Sequence, residues 1–268
     1  MISNPNNATI RQVRKLRKRR ERDRRRQILV EGHRALAVAL RSNTEVPIVL
    51  HTAAASSKRA DLLGEARARG ASLHEVSPDV MASLTSVETP PDVLGVAAMP
   101  ACTLADAVAR FGFGSVLAGV RDPATAGSIL SSTAAAGGRV AISTTGTTDL
   151  FAPKPVRSAA GAHFLIAIAP DADPSECAAA LGSRGVRIVA LEAGGRHPAD
   201  ADLDGRVAVV LSDDGAMPEA LDNAVQQRVT AMQRDAGIRP SVGAEAAVVL
   251  FEAARRRGRM DGSLRGEV

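Results

Sequence analysis

Short apolar runs alternate with amphipathic stretches along most of the chain. In the first hundred residues the runs at 27–32 (QILVEG), 48–51, 73–76 and 93–99 read as strands. Helical spacing appears at 10–26, 33–41, 57–69 and 78–84. Runs of four to eight apolar residues bounded by turn residues suit buried strands, and a 3.6-residue period suits a helix. In the second half, strands are expected at 116–120 (VLAGV), 140–142, 164–169, 186–191, 207–211 (VAVVL) and 228–232. Helices are expected at 126–136, 173–182, 218–224 and 242–257. Residues 101–114 read as a partly helical linker. Strands alternating with helices predict a mostly parallel sheet, whose carboxyl-end loops are the usual place for a ligand. Those loops include the polar run 143–148 (STTGTT) and the turn 212–215 (SDDG).

Composition and charge add a partner to this picture. Of 268 residues 45% are apolar but only 2% aromatic, so the core must be built from Ala, Val, Leu and Ile. The formal charge is +5, and it is uneven. Residues 11–26 hold eleven bases against Glu21 and Asp23, a net +9, so the rest of the chain is slightly acidic. A concentrated basic stretch is the electrostatic footprint of a polyanion such as RNA or DNA. Arg14, Lys15, Lys18, Arg19, Arg22 and Arg25 are its candidate RNA-binding residues. The alternative is a solvated, like-charged helix or a disordered arm.

Other chemistry is weakly represented. Cys102 and Cys177 are far apart, and the five histidines are scattered, so neither a disulfide nor a metal site is expected. No apolar run reaches the length of a membrane span, and the amino terminus lacks a hydrophobic signal region. The expected location is the cytoplasm. Residues 194–197 (GGRH) resemble a phosphate loop but lack the Lys-Ser/Thr ending, so a surface loop is expected there.

Several segments, in order, resemble the SpoU/TrmH family of RNA 2′-O-ribose methyltransferases. ILVEGHRALAVAL and SLTSVETPPDVLGVAAMP are similar to the family's RNA-substrate-binding domain. RDPATAGSILSSTAAAG resembles its first motif, VAVVLSDDGAMPEAL its second, and VTAM with PSVGAEAAVVLFEA its third. The resemblance implies an α/β chain laid out as a basic arm (1–26), a small RNA-binding domain (27–100), the linker, a parallel-sheet domain with a trefoil knot (115–260) and a tail (261–268). It also implies S-adenosylmethionine as cofactor, RNA (ribosomal RNA first) as substrate, and a homodimer. Thr145, Gly146, Leu211, Asp213, Gly215, Met232 and Ser241 are then expected at the cofactor, and Arg157 at the RNA backbone or in a structural role.

The motifs also depart from the family. Asp122, Pro123 and Gly127 match, but Thr125 stands at the family's Asn position and Ser131 at its Arg position. Asp214 replaces the Glu of the second motif, and the third-motif Asn is missing. A ribose hydroxyl needs a proton acceptor or a cation for its developing alkoxide, and serine supplies neither. Arg121, Arg139, Arg157 or an arginine from the basic arm of a partner subunit could take over. Two readings follow: a methyltransferase with an atypical site, or an inactive relative that binds RNA without methylating it.

Overall fold

The computed structural model describes residues 1–213, 217–231 and 240–258. It divides into two units: Met1–Pro100 with Phe151–Leu165, and Ala101–Leu150 with the described residues from Ile166 onward.

The first unit begins with α1 (Ala8–Lys15) and α2 (Arg19–Arg25). It continues through β1 (Gln27–Glu31), α3 (His33–Arg41), β2 (Ile48–His51), α4 (Ala53–Lys58), α5 (Ala60–Ala68), β3 (Ser72–Glu75), α6 (Pro78–Leu84) and β4 (Val93–Ala98). The sheet order is β1-β4-β2-β3. β4 runs antiparallel to both neighbours, while β2 and β3 are parallel. Ile10, Val13 and Leu16 of the basic segment are buried with Leu50, Met81, Leu84 and Leu94. The segment is thus docked through an apolar stripe, with its bases other than Arg22 on the outer face. It is also not one helix. The chain breaks between Lys15 and Arg19, and Arg22 turns inward to donate to the carbonyls of Leu16 and Arg17 at 2.9 and 2.8 Å. A helix end leaves unpaired carbonyls, and a guanidinium can satisfy two of them at once. The helix expected at 57–69 is likewise two helices, α4 and α5.

The second unit contains α7 (Leu104–Ala109), β5 (Phe113–Leu117), α8 (Pro123–Ala135) and β6 (Val140–Thr144). The chain then contributes α9 (Pro153–Ser158) and a 3-10 turn (Ala162–Phe164) to the first unit. It resumes with β7 (Ala167–Ala172), α10 (Pro174–Ser183), β8 (Arg187–Arg196), β9 (Val207–Leu211), α11 (Glu219–Asp222), β10 (Gln227–Val229) and α12 (Val242–Arg256). All six strands are parallel, in the order β10-β8-β9-β5-β6-β7. β5, β6 and β9 are buried along their whole length; β9 reads as one apolar run, whereas the strand expected at 116–120 is displaced to β5 at Phe113–Leu117, whose Gly114 and Ser115 interrupt the pattern.

Three expectations are corrected here. Residues 101–114 are not a linker: Ala107, Val108 and Phe111 belong to the second unit's core, and β5 starts at Phe113. The strand expected at 164–169 is displaced to β7, because the 3-10 turn occupies residues up to Phe164. Gly194 and Gly195 lie in β8, not in a loop. A Cβ on Gly195 would stand 2.7 Å from the backbone of Arg228 and Val229, so close strand approach requires the glycine.

Candidate functional site

Parallel strands β5 and β6 follow each other toward one side of the sheet, whereas β8 and β9 lie on the other side of β5. The winding direction therefore reverses between β5 and β9. Such a reversal opens a crevice at the carboxyl ends of the strands. In register, Leu117 pairs with Leu211 on one side and Ser143 on the other, so these three residues form one row at that edge.

The loops beyond this row are tied together by short polar contacts. Thr147, 9% exposed, donates from Oγ1 to the Leu117 carbonyl at 2.8 Å and accepts the Gly119 N–H at 3.0 Å. The Thr148 N–H donates to the Val120 carbonyl at 2.9 Å, and the Thr145 N–H to that of Ala172 at 3.0 Å. These bonds clamp both ends of the loop after β6 and leave its tip, Thr145–Gly146, exposed. Gly146 has a φ of 89°, a conformation glycine adopts at no steric cost. Asp213 follows β9 and accepts the Arg121 N–H at 2.7 Å, which joins the loops after β9 and β5.

Two helices start at this edge or pack on it. Asp122 caps α8 by accepting the Thr125 N–H at 2.7 Å, with Pro123 at the first helical position. Ser241 caps α12 by accepting the Ala244 N–H at 3.3 Å. α12 lies on α8: a Cβ on Gly243 would come within 2.5 Å of Ser128 Oγ and 3.8 Å of Thr125 Cγ2. Thr125 thus faces the first turn of α12. Ser131 is half-buried on α8.

Of the expected cofactor residues, the structure brings Thr145, Gly146, Leu211 and Asp213 to one strand edge and puts Ser241 at the first turn of α12. Asp214, Gly215 and Met232 lie outside the described residues. Sequence reasoning missed Thr147, whose two bonds fix the loop; a threonine run gives no sign of which hydroxyl is buried. The three candidate arginines separate clearly. Arg139 precedes β6 and donates its N–H to the Phe113 carbonyl, at the opposite edge of the sheet. Arg157 belongs to the first unit, where it donates to Glu31 at 2.7 Å. Arg121 follows β5 at the carboxyl edge and is exposed.

In the basic segment Lys15 and Lys18 are exposed, as are Arg11, Arg17 and Arg20. Arg14 donates to Ser83 and to the Pro5 carbonyl. Arg19 pairs with Asp23 at 3.6 Å and Arg25 with Glu21 at 3.3 Å. Arg22 is 2% exposed and holds the turn described above, so it presents no charge to a partner. The hydrogen bond from Arg24 holds the Glu21 carboxyl below its usual range.

Comparison with known proteins agrees with this layout. The model of the MRM3-like substrate binding domain matches residues 7–95, and that of the SpoU rRNA Methylase family matches residues 114–235. The 23S rRNA (guanosine(2553)-2′-O)-methyltransferase RlmP of Bacillus subtilis (strain 168) is 28% identical over 167 residues. That match covers 62% of this chain and 63% of the Bacillus protein. The structure of the AdoMet-bound rRNA methyltransferase from Sinorhizobium meliloti superposes with a TM-score of 0.81 at 24% identity, covering 95% of this chain and 97% of that one. The SpoU methyltransferase AviRb of Streptomyces viridochromogenes, in complex with AdoMet, also gives 0.81 at 24% identity, covering 94% and 100%. These two likenesses establish the fold.

Proposed function

The chain belongs to the SpoU/TrmH family, and on that premise we propose that it is an S-adenosylmethionine-dependent RNA 2′-O-ribose methyltransferase acting on ribosomal RNA. The observation that carries this reading is the reversal of strand winding between β5 and β9, with Thr145 and Gly146 exposed between the clamped loops at that edge. The exposed Thr145 and Gly146, with the Thr145 hydroxyl, suit the polar edge of a nucleoside. Thr145, Gly146, Leu211, Asp213 and Ser241, with Gly215 and Met232, would hold S-adenosylmethionine. S-adenosylmethionine held there would supply an electrophilic methyl for the ribose 2′-oxygen, leaving as its thioether, with the hydroxyl proton released to solvent. In this reading the second unit carries the trefoil knot that the family resemblance implies.

The chain's own contribution is to orient the ribose and to steady the developing negative charge. Thr125 and Ser131 cannot supply a cation. Arg121 stands at the correct edge, and its backbone is pinned by Asp213. We assign it the role of the missing arginine. The amino-terminal unit would hold the RNA through Lys15, Lys18, Arg14, Arg19 and Arg25 together with Arg11, Arg17 and Arg20. A second copy would pack on α12, whose Val248 and Phe251 are exposed at 51% and 37%. Ribosomal RNA as substrate places the protein in the cytoplasm; among the described residues no helix is long and apolar enough to cross a membrane.

The test is calorimetric titration with S-adenosylmethionine, followed by methyl transfer to ribosomal RNA and nuclease mapping of 2′-O-methylribose. Micromolar to millimolar binding with transfer is expected, and Arg121→Ala should lower the rate about a hundredfold. No heat at high cofactor concentration overturns the enzyme. Cofactor-free RNA binding would instead favour the second reading, an inactive RNA-binding relative, for which Ser131 at the family's Arg position is the supporting observation.

A further inference from the structure

A second candidate site lies wholly within the first unit, on the side-chain chemistry of Glu31. This residue ends β1 and is 5% exposed. Its Oε2 accepts from Thr85 Oγ1 at 3.0 Å and from Arg157 at 2.7 Å. Its Oε1 is sealed from solvent and accepts nothing among the described residues. A buried carboxylate oxygen without a donor is costly, and such oxygens are rare in folded proteins. Glu31 and Arg157 also line a cavity of about 480 Å³, together with Gly32, His33, Val87 and Ala160.

The cavity has a second polar feature. Residues 32–35 line it, and they form the start of α3, a nine-residue helix. Its cap is Gly32, which has no side chain to take up the first amides. Free amides at a helix start favour an anion or an oxygen acceptor. The remaining wall is largely apolar, from Ala35, Val87, Pro91 and Ala160.

We propose that this cavity takes one unpaired guanine nucleotide of the RNA, read by the Glu31–Arg157 pair. The inference rests on the reading that RNA is the substrate, and it adds a base preference to it. Guanine presents on one edge an acceptor, O6, next to two donors, N1–H and the exocyclic amino group. Glu31 Oε1 is an acceptor without a donor, and a turn of the carboxylate about its terminal bond as the base enters would present it to the cavity. Arg157 is about a third exposed and uses one nitrogen on Glu31, so its other N–H groups can reach O6. Uracil sets its single N–H between two carbonyl oxygens, one of which would face the carboxylate. Adenine and cytosine place an acceptor beside their amino group. The phosphate or ribose oxygens of the same nucleotide would lie toward the start of α3.

The experiment is a titration of the isotope-labelled full chain with 5′-GMP, 5′-AMP, 5′-CMP and 5′-UMP, followed by amide NMR. GMP is expected to shift Gly32, His33, Ala35, Val87 and Ala160 and to bind about tenfold tighter than UMP. Thr89→Trp, on the exposed rim, should fold normally and abolish these shifts. Glu31→Gln should remove the preference for GMP. Equal shifts with all four nucleotides overturn the proposal, as does GMP binding that survives Thr89→Trp. RNA binding by the unmodified chain, measured in parallel, separates the two failures. If RNA binds but GMP finds no cavity, only this site is wrong; if RNA does not bind, the functional reading itself falls.

Discussion

The two units build their candidate sites from different materials. In the second unit the crevice comes from strand order, and its walls are fixed by backbone groups bonded to one another or to short side chains, Thr147, Asp213 and Asp122. In the first unit the cavity depends on side chains, Glu31, Thr85 and Arg157, brought together from three parts of the chain. A backbone-built site keeps its shape when reactive side chains change. The Asp122 cap and the α8–α12 contact would thus stay in place whichever side chains stand at Thr125 and Ser131. A side-chain-built site has no such tolerance, since removing one partner strands the other in an apolar wall.

The sharpest break of this contrast is Gly114→Val. A Cβ at Gly114 would stand 2.0 Å from the Val140 carbonyl oxygen, inside the β5–β6 ladder. The expected cost is about 4 kcal/mol or more, with loss of the cofactor heat. Hydrogen exchange should show the first unit still protected; if both units open together, the contrast between them fails. Next is Arg157→Ala, which leaves the Glu31 carboxylate buried without its cation and should cost about 3 kcal/mol in urea unfolding. The double variant Glu31→Gln with Arg157→Ala should recover part of that loss. Titration with S-adenosylmethionine should be unchanged in both. Thr147→Val keeps the volume but orphans the Gly119 N–H and the Leu117 carbonyl. It should cost about 2 kcal/mol and weaken cofactor binding.

The smallest effect is electrostatic. The hydrogen bond from Arg255, helped by Arg256, lowers the Glu252 carboxyl from its usual 4.5 to about 2. A lowered folded value means that the pairing stabilises the protein fully above pH 4.5 and that this contribution fades as pH falls toward 2. Acid unfolding followed by circular dichroism should show a shallower limb in Glu252→Gln over that window. An identical limb would mean that the pair contributes nothing at this surface position.

The sheet of the second unit was largely legible in the sequence because burial on both faces writes itself as runs such as VAVVL. The switch point followed once the strand order was known, and Thr145, Gly146, Leu211 and Asp213 fell at its edge. Three features were not legible. A charged segment hides its fold when the decisive residue is Arg22, an arginine turned inward. Glycines read as loops, yet Gly195 is in a strand because another backbone passes close to it. The third is the Glu31–Arg157 pair, separated by 126 residues, which no local pattern can announce. Its only trace was a lone acid at the end of an apolar run, QILVEG.

The return of residues 151–165 to the first unit has a consequence for synthesis. A nascent chain of a hundred residues already contains all four strands of that unit, but not α9 or Arg157. Domains usually complete themselves in order as they leave the ribosome. This one must wait while β5, α8 and β6 are made, with Glu31 lacking its cation for several seconds at ordinary elongation rates of about 5–20 residues per second. The amino-terminal unit therefore finishes folding only after the unit that follows it has begun.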